Sequence, residues 1–222
     1  MAELAELRRA LASCQQQLQA TREQLEALKE TDARRRRKLI RLAEKSAQAR
    51  HFAYHDQSTG LPNRSLLLDR LTQAMIQANR QHRQLALLFL DLNGFKAVND
   101  KFGHAVGDEL LRQVSERLTS CIRGGDTACR YGGDEFIVML PEIDGGESAA
   151  SVAEKIRIRL AAPYVIDGNS MAVTASIGTA IYPSDGNTHA ELIRQADIAM
   201  YLAKAASKRP FANAEPEPVS SF

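Results

Sequence analysis

Residues 1–54 contain neither glycine nor proline and are rich in Ala, Leu, Glu, Gln, Lys and Arg. That composition predicts one continuous helix. Leu4, Leu11, Leu18, Leu25 and Leu39 fall seven residues, or a multiple of seven, apart. Leu7, Leu28 and Leu42 mark a companion seam three residues later, with Cys14 and Thr21 in the same register. Alternating three- and four-residue steps describe the apolar stripe of a left-handed coiled coil. A lone amphipathic helix lying on a globular domain is the alternative, but the stripe is narrow and the other faces are polar. Asp32 and Arg35 interrupt the seam. Heptads fix neither strand number nor direction; a parallel homodimer is expected, because it sets two identical C-terminal domains side by side.

After this arm, the 222-residue chain has room for one domain of about 150–170 residues. No apolar run is long enough to span a bilayer, and the start lacks the apolar centre of a signal peptide. Cys14, Cys121 and Cys129 are too few and too scattered for a disulfide framework or a zinc site. A cytoplasmic location without membrane insertion is expected. The net charge of +2 divides into 12 Lys/Arg against 7 Asp/Glu in residues 1–50 and a small acidic excess in the remainder. The basic run Arg34–Lys38 has no aromatic neighbours to stack on bases, so it reads as a solvated helix face and not as a nucleic-acid contact.

Arg130-Tyr131-Gly132-Gly133-Asp134-Glu135-Phe136 precedes the apolar run Ile137–Leu140. Adjacent glycines suit a tight hairpin and leave no side chain in the way of an approaching ligand. Asp134 and Glu135 then stand at its tip, where hard carboxylate oxygens can hold Mg²⁺ against a phosphate. Leu85–Leu90 reads as a buried strand ending at Asp91, so a second carboxylate can point to the same spot. Asn93-Gly94-Phe95-Lys96 reads as a loop entering a helix, where backbone N–H groups favour phosphate and Lys96 adds a point charge. Phe95 is expected in the core. Further helices are predicted over 65–81, 108–122, 148–160 and 189–206, with a strand over 171–181.

These residues resemble the GGDEF family of diguanylate cyclases, from about His55 to about Lys208. The resemblance includes Asp56-Gln57-Ser58-Thr59-Gly60-Leu61-Pro62-Asn63-Arg64, Asp91 through Asp100, Phe102-Gly103-His104, Gly107-Asp108, the signature hairpin, and Ala196-Asp197 through Lys204. It implies an α+β fold, a central mostly antiparallel sheet flanked by helices with the palm-like architecture of nucleotide cyclases, beside the N-terminal coiled-coil helix. The expected organisation is an arm over 1–54, the cyclase domain over 55–211 and a disordered tail over 212–222. The implied activity is condensation of two GTP into cyclic di-GMP and two pyrophosphates by a dimer. A catalytically weak domain acting as a cyclic di-GMP receptor or scaffold is the alternative.

The same resemblance implies a metal set of Asp91, Leu92, Asp134 and Glu135 for Mg²⁺, or Mn²⁺, with Glu135 also placed to deprotonate the attacking hydroxyl. Asn99 and Asp108 match the guanine-reading pair. A carboxylate accepts from guanine N1–H and N2–H₂, donors that adenine does not present together. Asn93, Gly94, Phe95, Lys96, Gly132 and Gly133 complete the GTP contacts, and Lys204 and Lys208 fall where triphosphate-binding bases lie. Relatives usually continue Lys-x-x-Gly-Arg/Lys-Asn, whereas this chain reads Lys204-Ala205-Ala206-Ser207-Lys208-Arg209-Pro210. Arg123 and Asp126 have the spacing of the family's inhibitory Arg-x-x-Asp site for cyclic di-GMP, with Lys155 as a third contact. Asp56 and Arg64 are expected to tie the arm to the domain, and Ser58, in place of the usual Leu, to loosen that junction.

Overall fold

The computed structural model describes residues 2–207. The expectations for Lys208 and for the tail after residue 211 lie outside the described residues. The first element, α1, is one helix over Ala2–Tyr54. Residues Met1–Ala53 form one compact unit and Tyr54 onward a second. Every leucine of the heptad stripe is exposed, from 50% at Leu25 to 70% at Leu28. Its polar faces carry local pairs, Lys29–Glu26 at 2.8 Å and Arg36–Asp32 at 2.7 Å. Such exposed pairs contribute only about 0.3–0.5 kcal/mol each. The arm's apolar stripe is therefore its main unspent source of stability.

The second unit contains α2 (Arg64–Gln81), β1 (Gln84–Asn93), α3 (Phe95–Phe102), α4 (His104–Cys121), β2 (Thr127–Gly132) and β3 (Glu135–Ile143). After these come α5 (Gly146–Ala161), β4 (Tyr164–Ile166), β5 (Asn169–Met171), β6 (Thr174–Tyr182) and α6 (His189–Ser207). One antiparallel sheet has the order β2-β3-β1-β6, and β4 and β5 form a separate hairpin. Strand β1 is apolar on both sides because both sides are covered. Ala86, Leu88, Leu90 and Leu92 pack with Val98 of α3, Leu110 of α4 and Ile156 of α5. Leu85, Leu87 and Phe89 pack with Leu67 of α2 and Leu192 of α6. The strand's period of two then puts Asp91 on the α2/α6 side. Among the described residues no helix is long and apolar enough to cross a membrane.

Three local expectations are corrected. Strand β1 does not stop at Asp91: Leu92 pairs with Ala175 and Asn93 with Thr174, so β6 carries the ladder two residues further. Helix α4 starts at His104, after Gly103 at φ 85°, and not at 108, so Asp108 lies in its second turn. The strand expected over 171–181 is divided, with Met171 closing the small hairpin and β6 beginning at Thr174. At Gly178, a Cβ would lie 2.0 Å from the Met200 backbone nitrogen and 2.2 Å from the Ala196 carbonyl. Only glycine admits such contact with backbone, and it seats α6, carrier of Asp197 and Lys204, directly on β6.

Candidate active site

Gly133, at φ 52°, and Asp134 form the turn between β2 and β3. Glu135 opens β3 directly opposite Asp91 on β1. The Leu92 N–H donates to the Asp134 carbonyl at 3.3 Å, so this edge of the sheet gathers all four residues of the expected metal set. From α6, Lys204 Nζ donates to Asp91 Oδ1 at 2.6 Å. Asp91 itself is only 9% exposed. A buried carboxylate needs a cation close by, and here the ammonium supplies it.

Burial raises the Glu135 carboxyl above its ordinary range. Asp91, Asp134 and Asp197 push it further in the same direction, and Lys204 pulls it down. Three carboxylates thus act on Glu135, with one lysine to balance them. Among the described residues no three acidic, histidine or cysteine side chains make a cage for a metal ion. The carboxylates at this end of the sheet are the hard oxygen donors that a divalent cation takes, with water and phosphate able to fill the remaining positions. The donors are hard oxygens, and Lys204 stands where a cation belongs.

Asn99 on α3 lies against Gly107, the residue before Asp108 on α4. Asn99 Oδ1 is buried without a hydrogen-bond partner among the described residues. A Cβ at Gly107 would fall 1.8 Å from that oxygen and 2.9 Å from Asn99 Cγ. Glycine is required here for close approach, since the Asn99 amide fills the space. On the expectation that Asn99 reads guanine, Gly107→Ala should displace the amide and raise the KM for GTP about tenfold while the fold persists. Steady-state kinetics with parallel melting curves check this; an unchanged KM refutes it. The Asn93 amide donates to Thr174 Oγ1 at 3.2 Å and Ser176 Oγ at 3.0 Å, bracing β1 on β6. Phe95 packs partly buried against the core, Gly94 precedes α3 at φ 88°, and Lys96 is exposed at the helix start.

The Arg123–Asp126 turn lies at the other end of β2. The Arg123 backbone N–H donates to Asp126 Oδ2 at 3.0 Å, and Arg123 Nη2 donates to the Glu142 carbonyl at 2.8 Å. Lys155 Nζ donates to the Cys121 carbonyl at 2.9 Å, at the end of α4.

A sequence profile described as "Diguanylate cyclase, GGDEF domain" matches residues 53–210. The chain belongs to the GGDEF domain family. It is 48% identical over 163 residues to the bifunctional diguanylate cyclase/cyclic di-GMP phosphodiesterase MucR of Pseudomonas aeruginosa, covering 73% of this chain and 24% of that protein. It is 41% identical over 165 residues to the diguanylate cyclase TpbB of the same organism, covering 74% of this chain and 38% of that one. The chain therefore spans between about a quarter and two fifths of these curated relatives. Among solved structures, the coiled coil and GGDEF domain of DgcB from Caulobacter crescentus, in complex with c-di-GMP, superposes with a TM-score of 0.73 at 28% identity, covering 81% of this chain and 95% of that one.

The sequence reading gave no separate role to three residues that shape the GGDEF site. Asp197 adds to the negative field at Glu135, and its seven-residue spacing from Lys204 on α6 is the signal that could have shown it. Gly107 makes room for Asn99. Arg130 joins the hairpin to the segment before α2: Nη1 donates to Asp56 Oδ1 at 3.0 Å and Oδ2 at 3.2 Å, and Nε to the Gly133 carbonyl at 2.9 Å. Asp56 and Arg64 thus engage β2: the Arg64 guanidinium lies 4.8 Å from the centre of the Tyr131 ring. Ser58 reinforces this corner, donating to Asp56 at 2.9 Å and accepting from Arg130.

Burial alone would raise the Asp56 carboxyl, but hydrogen bonds from Thr59, Arg130 and Ser58 outweigh it and hold the group below its ordinary value of 3.8. A depressed carboxylate stabilises the fold above its unfolded pKa, and that contribution is lost as pH falls through the folded value. Asp56→Asn is expected to cost about 2 kcal/mol at about pH 7 and much less at about pH 3. Urea midpoints at the two pH values measure it. A difference that stays constant or grows on acidification contradicts the assignment.

Proposed function

We propose that this chain is a diguanylate cyclase, condensing two GTP into cyclic di-GMP with release of two pyrophosphates. The observation that carries this reading is the Asp91–Glu135 pair across β1 and β3, closed by the Lys204 ammonium at 2.6 Å from Asp91. It is a carboxylate site already arranged around a cation.

Asn99 and Asp108 read the guanine edge, and the unpartnered Asn99 oxygen supports that role. The backbone at Gly94–Lys96, at the start of α3, receives phosphate, and Gly132 and Gly133 let the nucleotide approach the hairpin. Asp91, Asp134 and Glu135, with the Leu92 carbonyl, would hold Mg²⁺, with Mn²⁺ as a substitute. Bound there, the ion neutralises triphosphate charge and lowers the pKa of the attacking 3′-hydroxyl. Lys204 then turns from Asp91 to the triphosphate, joined by Lys208. The 3′-oxygen of one GTP bonds to the α-phosphorus of the other as the bond to the leaving pyrophosphate breaks. Glu135 takes the hydroxyl proton, and the reciprocal attack closes the ring.

One domain holds one GTP, so two domains must face each other. The exposed leucine stripe of α1 supports a homodimer through a coiled coil, as does the likeness to a DgcB structure that includes one. Arg123, Asp126 and Lys155 would bind the product and restrain the domains. Wild type and Asp134→Ala incubated with GTP or ATP in Mg²⁺ test the assignment. GTP consumption by the wild type alone supports it; equal turnover of ATP, or an active Asp134→Ala, overturns it.

A further inference from the structure

The Arg123–Asp126 turn borders a cavity of about 400 Å³. Leu61 and Pro62 close one side, Ile122, Arg123 and Asp126 another, and Arg70 of α2 lines it as well. The volume lies in the range of small-molecule sites. Two features of this cavity call for a ligand. The Asp126 side chain is 4% exposed, and its Oδ1 has no hydrogen-bond donor among the described residues; the nearest described cation, Arg123 Nε, stands 3.5 Å away. Leaving such a buried acceptor unsatisfied is costly, and an incoming N–H would remove that cost. Arg70, exposed on α2, makes one hydrogen bond among the described residues, from Nη1 to Thr127 Oγ1 at 3.0 Å, and has no carboxylate partner there. That bond orients the guanidinium toward the cavity wall.

We propose that Arg70 binds the cyclic dinucleotide directly, extending the Arg123–Asp126 site across this cavity onto α2. The inference rests on reading that turn as a cyclic di-GMP site. The pattern of groups matches the ligand's chemistry. Asp126 accepts from guanine N1–H and N2–H₂, and a guanidinium fork suits either guanine O6/N7 or a phosphodiester. Arg70 and Arg123 are the two cations that line the cavity with Asp126. Arg70 also spans the site and α2, so bound product would fasten the helix that follows the Leu61–Pro62 turn.

Calorimetric titration of the full chain with cyclic di-GMP tests this with four variants. Arg70→Gln is expected to weaken binding about tenfold or more, and Arg70→Lys less, because charge survives without the fork. Thr127→Val removes the bond that positions Arg70 but leaves the guanidinium, and is expected to stay within about threefold of wild type. Arg123→Ala is the control for the site itself. If Arg70→Gln binds like wild type while Arg123→Ala does not, the site stands and Arg70 is no part of it. Equal losses in Arg70→Gln and Thr127→Val would make Arg70 a support for the turn and overturn direct contact. If Arg123→Ala binds like wild type, the reading of the turn fails first. Melting curves on each variant confirm that folded protein is compared.

Discussion

Asp91→Asn is expected to reduce cyclic di-GMP formation by about 10³-fold or more, a loss of about 4 kcal/mol of transition-state stabilisation. The substitution keeps shape and removes charge at the residue that faces Glu135 and receives Lys204. Two effects then coincide: the cation site loses one of its hard ligands, and the Lys204 ammonium loses its counter-charge. The second effect alone costs stability, about 1–3 kcal/mol, so melting midpoints must accompany the kinetics. Lys204→Ala separates the two. It leaves the carboxylates in place and removes a phosphate contact, so its expected signature is a raised KM with a smaller change in kcat. Asp91→Asn retaining more than about a tenth of wild-type activity would exclude Asp91 from the chemistry.

Charging the arm's stripe is the second large effect. Leu18 and Leu25 are 54% and 50% exposed in the single chain, the least exposed leucines of a stripe that α1 leaves uncovered. A second copy of the arm would bury them, at about 1.5–3 kcal/mol for each leucine fully covered. Leu18→Glu with Leu25→Glu is expected to lower activity per mole about 10²-fold at nanomolar protein, because each domain then meets its partner only by diffusion. Activity should recover as concentration rises, since the site in each domain is untouched. Specific activity measured across a dilution series, with mass measured by light scattering, gives the answer. A flat series identical to wild type would mean that the arm does not assemble the two half-sites.

Local pattern carried much of this fold. The absence of glycine and proline gave α1, the apolar run 85–90 gave the core of β1, and the paired glycines gave the hairpin with its carboxylates. The site's main residues were legible because their motifs are short and contiguous. What the chain's pattern concealed depends on long-range pairing. Nothing local says that Leu92 and Asn93 continue β1, because their partners in β6 lie about eighty residues further on. Helix α4 extends back to His104 past Gly107, a residue that reads as a helix breaker until its contact with Asn99 is seen. Asp56 shows the same limit: it is a turn residue in sequence, and its Arg130 partner becomes visible only once β2 lies beside it.

The most direct test of the central claim is the product itself. Full-length chain at high concentration, given GTP and Mg²⁺, should yield cyclic di-GMP identified by chromatography and mass, with two pyrophosphates for each cyclic dinucleotide. No product under these conditions, together with tight cyclic di-GMP binding that Arg123→Ala abolishes, would contradict the cyclase and make the domain a receptor.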